Sequence, residues 1–131
     1  MPQRPESVAE WMSYARSHLA AARAAVGVGI LWEIPCFEAQ QAAEKAVKAV
    51  LISVGVKPPG VHDVGELLDL VPLSLPKASG VEESRVLTQY AFATRYPGGC
   101  FPVSESDYRE ALRLAEAVVE WAEGVVGEAG A

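Results

Sequence analysis

Between Cys36 and Val54 the apolar residues recur at the three-four spacing of a helix, yet they cover far more than one face. At about 100° per residue, Cys36, Ala39, Ala42, Ala43, Ala46, Val47, Ala49, Val50, Leu51 and Val54 occupy an arc of roughly 200°. The pattern predicts a central helix covered on two sides. Its alanines predict close approach of a long neighbouring helix along its whole length. The remaining arc holds Glu38, Gln41, Glu44, Lys45 and Lys48, with Glu44 and Lys48 at the favourable i,i+4 spacing, and predicts one narrow stripe facing solvent. Gln40 breaks the pattern by falling between Val47 and Leu51, where a buried amide needs partners for its donors and its acceptor. Two readings of Gln40 are open: a boundary side chain that reaches water or caps a loop, and a polar group at a cleft or subunit interface.

The same periodicity places other helices around this one. Val8, Trp11, Met12, Ala15, Leu19, Ala22 and Val26 predict a first amphipathic helix from about Glu6 to Val26, with His18 off its stripe and Trp11 needing an acceptor for its indole N–H if enclosed. Gly27 and Gly29 end it, and Pro35 suits the first turn of the next. After Gly55 the prolines of Val56-Lys-Pro-Pro-Gly-Val-His62 make a stiff loop, and Asp63 with Glu66 forms a capping signature for a short helix, Val64–Val71. Ser79-Gly-Val-Glu82 repeats that signature and predicts a fourth helix from Val81 to about Thr94, with Val86, Leu87, Tyr90 and Ala91 inward. Ser104 to Asp107 caps the last helix, whose main stripe runs from Tyr108 through Leu112 and Val119 to Val126 and whose tail is expected to fray. That helix carries a second stripe of Leu114, Ala117 and Trp121. Together with Trp32 and Ile34 in the first link, it predicts an exposed apolar surface closed by a two-fold homodimer or higher homo-oligomer. No strand-like alternation or internal repeat is found, so the fold class is all-α: one domain over 1–131, an up-and-down bundle of four to five helices.

Composition narrows the functions. With 17 acidic against 11 basic side chains the net charge is −6, which opposes non-specific adhesion to nucleic acid or anionic lipid. The N-terminus lacks a signal-peptide core and no apolar run is long enough to span a membrane, so a cytoplasmic location is expected. Cys36 and Cys100 lie in no metal or redox spacing and read as two thiols, at least one of them packed. With only two histidines, His18 and His62, no metal or cofactor set is expected. His62 has two readings, a ring hydrogen-bonded to loop backbone beside a cap, or a ligand contact.

Four pieces taken together, the run from Cys36 through Ala39-Gln-Gln-Ala-Ala-Glu-Lys-Ala46, the loop Pro59-Gly-Val-His-Asp63 before Leu67 and Leu68, the turn Arg95-Tyr-Pro97 and the helix from Ala111 to Trp121, resemble the HEPN domain, the higher eukaryote and prokaryote nucleotide-binding family. The resemblance covers nearly the whole chain. It implies a helical bundle, frequent homodimers, and pairing with a minimal nucleotidyltransferase in a toxin–antitoxin-like operon. Many members resemble metal-independent ribonucleases with an arginine followed, after four to six intervening residues, by a histidine. Here Arg95 is followed at those positions by Cys100, Phe101 and Pro102, which puts that chemistry in doubt and assigns no catalytic residue. The expected site is a groove near Arg95, Tyr96, His62, Gln40 and Gln41, where Arg95 would fork onto a phosphate and Tyr96 would stack. The competing reading has Arg95 closing helix carbonyls and Tyr96 packed under its loop. The function expected is a non-catalytic nucleotide- or RNA-binding module. The alternatives are a ribonuclease toxin with a degenerate active site and a ligand-free oligomeric adaptor.

Overall fold

Ser7 starts the first helix by accepting the Glu10 N–H on its side-chain oxygen at 3.1 Å. The computed structural model describes residues 7–25, 29–91 and 102–129. Within them lie α1 (Val8–Ala24), α2 (Glu33–Ser53), α3 (Val64–Asp69), a 3-10 helix (Glu82–Tyr90) and α4 (Glu105–Ala129), with no strand among the described residues. The protein is an all-α bundle, as its periodicity predicts. Asp63 caps α3 by accepting the Glu66 N–H at 3.0 Å, and Ser104 and Asp107 exchange backbone-to-side-chain bonds of 3.0 and 3.1 Å to open α4.

The central helix is α2, packed lengthwise against α1 on one side and α4 on the other. Ala39, Ala42, Ala43, Ala46 and Ala49 are wholly buried. Ala15 and Ala22 of α1 and Ala115 and Ala122 of α4 are wholly buried too, so small side chains in all three long helices let the backbones draw together. Cys36 is one of the packed groups, and burial, aided by the Asp107 charge, pushes its thiol up to about 12. Cys100 lies outside the described residues.

Several expectations are corrected. The segment read as an α-helix with Val86 inward is a 3-10 helix, and its Ser79 gives no cap. Three residues per turn put Val81, Ser84, Leu87 and Tyr90 on one buried row and swing Val86 out to 54% exposure. The second stripe of α4 is not an open surface either. Leu114 and Trp121 are buried within the chain, the Trp121 indole N–H donates to the Pro76 carbonyl at 2.9 Å, and Ala117 faces Gly80 across the same seam. The stretch from Pro72 to Gly80 is the cover. Trp32 also turns inward, stacked on Tyr108 with centroids 5.0 Å apart, while the Tyr108 hydroxyl donates to the Ala22 carbonyl at 2.8 Å. The α4 helix continues through Gly124 and Gly127 to Ala129, beyond the point where the tail was expected to fray.

The seam makes two glycines behave oppositely. Gly80 has φ +93°, and a Cβ there would meet the Ala117 methyl at 3.0 Å, whereas a Cβ on helical Gly124 meets nothing within 4 Å. Gly80→Ala is expected to destabilise by about 2 kcal/mol and Gly124→Ala to stabilise by about 1 kcal/mol. Urea unfolding midpoints of the two variants check both signs.

Candidate functional site on the central helix

Helix geometry stacks residues four apart, so Gln40, Glu44 and Lys48 form one row of α2, with Gln41 and Lys45 forming the row beside it. The periodicity assigned Glu44 and Lys48 to a solvent stripe. The structure corrects this: Gln40 and Glu44, which meet His62 of the 61–63 loop, are wholly buried, and Lys48, beside the Trp11 ring of α1, nearly so.

Glu44 is the hub. Its Oε1 accepts from Gln40 Nε2 at 3.1 Å, and its Oε2 has Lys48 Nζ at 2.9 Å, His62 Nδ1 at 3.1 Å and Lys45 Nζ at 3.5 Å around it. An ionised carboxylate only accepts, so the proton on this side of the imidazole sits on Nδ1. Gln40 also donates to the His62 carbonyl at 3.0 Å, and its own Oε1 accepts from Gln41 Nε2 at 2.7 Å. Lys45 Nζ donates to Gln41 Oε1 at 2.7 Å, and the Lys48 ammonium also lies 5.3 Å from the Trp11 ring centroid. The amide at position 40 is therefore buried and fully engaged rather than turned to water.

The loop that carries His62 is itself pinned. Val64 N–H donates to Thr88 Oγ1 at 2.9 Å, and Arg85 reaches across to the Gly65 carbonyl at 3.1 Å and Asp69 at 2.9 Å. The His62 ring is thus held with 51% of its side chain exposed, above an almost closed interior.

Burial by itself would push the Glu44 carboxyl up. The adjacent Lys45, the Lys48 contact and the Gln40 amide together reverse this and hold it below its ordinary value. Lys45 is pushed down, first by burial, against the pull of Glu44 and with the repulsion of Lys48. The two lysines face Glu44 directly, and Glu38 adds a second, more distant attraction on Lys45.

Of the expected site residues, the structure brings Gln40, Gln41 and His62 together; Arg95 and Tyr96 lie outside the described residues. The pattern missed Glu44, Lys45 and Lys48. The signal available was the narrowness of the polar arc on a helix covered on both sides. His18, off the apolar stripe of α1, is half-buried and meets Glu38 at 2.7 Å, joining α1 to α2. An open groove of about 540 Å³ lies elsewhere, between the 75–79 stretch and α4 over Trp121. Among the described residues no three His, Cys, Asp or Glu side chains come together as a metal site, and no helix is long and apolar enough to cross a membrane.

A helical bundle with a polar row sealed into its central helix matches the HEPN domain family model over residues 8–125, and the chain belongs to that family. It is similar to the crystal structure of TT1696 from Thermus thermophilus, with 30% identity, 90% of this chain and 97% of that chain covered, and a TM-score of 0.79. The archaeal HEPN homologue ST0689 is similar at 29% identity, with coverage of 92% and 98% and a TM-score of 0.73. A HEPN domain protein from Thermotoga maritima matches at 25% identity, with coverage of 92% and 93% and a TM-score of 0.53. No curated protein matches the chain.

Removing the hub charge tests the network. Glu44→Gln leaves Lys48 buried without its counter-ion and is expected to cost about 3 kcal/mol at neutral pH. Because the folded-state carboxyl titrates below its ordinary 4.5, this contribution is complete above that value and is lost as pH falls through the folded value. Urea unfolding of wild type and variant should therefore show a gap that is constant from about pH 7 to pH 5 and narrows in more acid solution.

Proposed function

We propose that this HEPN domain is a non-catalytic module that binds a nucleotide or RNA and works as the partner of a minimal nucleotidyltransferase in a toxin–antitoxin-like pair in the cytoplasm. The observation that carries the ligand half is the convergence of Gln40, His62 and two lysines on a single buried carboxylate, with Gln41 bonded to Gln40 and Lys45 beside it, beneath a half-exposed imidazole in a chain of net charge −6. Two lysines grouped on one helix of an acidic molecule suit one phosphate better than a long nucleic-acid track. The positions after Arg95 where a ribonuclease histidine would stand are Cys100, Phe101 and Pro102, which favours binding over cleavage. Self-association remains part of the proposal. With the α4 stripe covered, its support shifts to Ile30, Leu31 and Ile34, which are exposed at the link before α2 and in its first turn.

Anisotropy titration of short fluorescent RNAs and of labelled nucleotides measures the ligand half. His62→Ala and Lys45→Ala are each expected to weaken binding by about tenfold, with the melting temperature changed far less than in Glu44→Gln. Absence of binding by the wild-type protein would sink the module reading and leave the adaptor. Shortening of the RNA during titration would restore the ribonuclease. Purification from the native cell extract, followed by identification of what accompanies the protein, tests the nucleotidyltransferase half.

A further inference from the structure

We propose that the open groove between the 75–79 stretch and α4 is a docking site for an amphipathic helix of a partner protein, one that presents an apolar ridge with lysine or arginine beside it. The proposal is independent of any ligand at the Glu44 row. The groove, about 540 Å³, follows α4 from Ala117 through Trp121 to Val125, and Leu75 and Pro76 form part of its other wall. At 1.5 Å per residue that part of α4 is about 12 Å long, roughly two helical turns.

Gly124 lines the groove and has no explanation inside the chain. It sits within α4, its φ is not positive, and a Cβ there meets nothing within 4 Å. A glycine inside a helix costs about 1 kcal/mol relative to alanine. What the missing side chain provides is bare backbone at the groove. With Ala117 two turns earlier on the same face, it leaves room for a second helix to come close.

Charge says which helix. Glu120 lines the groove, is exposed, and has no ion pair among the described residues. The acidic residues on either side of it along α4 are already matched, Glu116 to Arg23 at 2.8 Å and Glu123 to Arg16 at 2.7 Å. The 75–79 stretch holds one cation, Lys77, which is outside the lining and 3.7 Å from Glu82. An unmatched carboxylate beside apolar side chains, in a chain of net charge −6, repels phosphate and attracts ammonium or guanidinium. Shape narrows the occupant further. No strand among the described residues offers an edge to an extended peptide, and an open groove does not enclose most of a small molecule's surface. A helix with apolar side chains at i, i+4 and i+7 and a flanking cation fits both the length and the charge.

The test titrates the full chain, labelled with nitrogen-15, with three synthetic alanine-based peptides of about 15 residues, long enough to hold a helix on contact. One carries leucines at i, i+4 and i+7 flanked by lysines, the second the same leucines flanked by glutamates, and the third the residues of the first in scrambled order. The reporters are the Gly124 amide and the Trp121 indole N–H, the latter assigned by its loss in Trp121→Phe. The lysine peptide should shift both and bind at least about tenfold more tightly than either of the others. Gly124→Leu, where the first added carbon meets open space, should abolish that binding with the circular dichroism and melting temperature retained. If that variant does not fold, Glu120→Lys, at an exposed position, decides instead and should reverse the preference toward the glutamate peptide. Equal affinity for the three peptides, shifts confined to other resonances, or no shift at about 1 mM peptide overturns the proposal. Tighter binding of a short single-stranded RNA in the same groove also overturns it. So does a dimer by sedimentation that Gly124→Leu dissociates, since the groove then holds a second copy of the chain. Each of these leaves the reading of the Glu44 row to its own titrations.

Discussion

A carboxylate in the middle of a helical bundle is the constraint on which the rest depends. Taking Glu44 out of water costs several kcal/mol, and an unpaired charge at that depth would unfold a domain whose total stability is of order 5–15 kcal/mol. The sequence supplies the answer largely from the same helix: a lysine one residue on, another four residues on, and an amide four residues back. His62 completes the set from a different segment. Because Gln40 also holds the His62 carbonyl, the charge cannot be satisfied without drawing the 61–63 loop onto α2.

That requirement divides the molecule into two modes of packing. The long helices meet mainly through alanine, where shape and burial do the work, with a few polar links such as His18 to Glu38 and Tyr108 to the Ala22 carbonyl at their margins. The shorter elements are placed by hydrogen bonds. His62 fixes the loop, Asp63 next to it caps α3, and Thr88 and Arg85 bind that cap region to the 3-10 helix. A cation–π contact from Lys48 to Trp11 extends the polar row to α1, so the network touches both sides of the central helix. Members of the network have few ways to move independently. Such rigidity suits a small recognition site, since little side-chain entropy remains to be lost when a ligand arrives.

The covering of α4 shows how a short irregular segment can change the meaning of a surface. Trp121 and Leu114 are placed by helix periodicity away from the main stripe, and they would form a sticky face on a bare bundle. The 72–81 stretch passes over them, and a single hydrogen bond to Pro76 satisfies the one polar atom of the indole. The close approach at Gly80, whose φ favours a residue without a side chain, lets the backbone lie against Ala117. What remains exposed and apolar is concentrated in the loops, notably Leu31 and Leu73.

Much of this was legible without coordinates because it follows from local periodicity. The apolar arc of α2 names the central helix, the alanines name its close neighbours, and Ser7, Asp63 and Ser104 mark helix starts, since caps and stripes depend on residues within a few positions of one another. The family resemblance rests on the same local runs, and Gln40 stands out because an amide there contradicts its apolar neighbours. What the tertiary structure alone decided involves residues distant in sequence. Periodicity can say that Glu44 and Lys48 share a face, and only the arrival of His62 from 18 residues away turns that face from solvent to interior. It can say that Trp121 lies off the main stripe, and only Pro76, 45 residues earlier, decides that the stripe is covered. The 3-10 winding that turns Val86 outward belongs to the same class, because the buried row of Val81, Ser84, Leu87 and Tyr90 is selected by the core it packs against rather than by the helix pattern in which it was first seen.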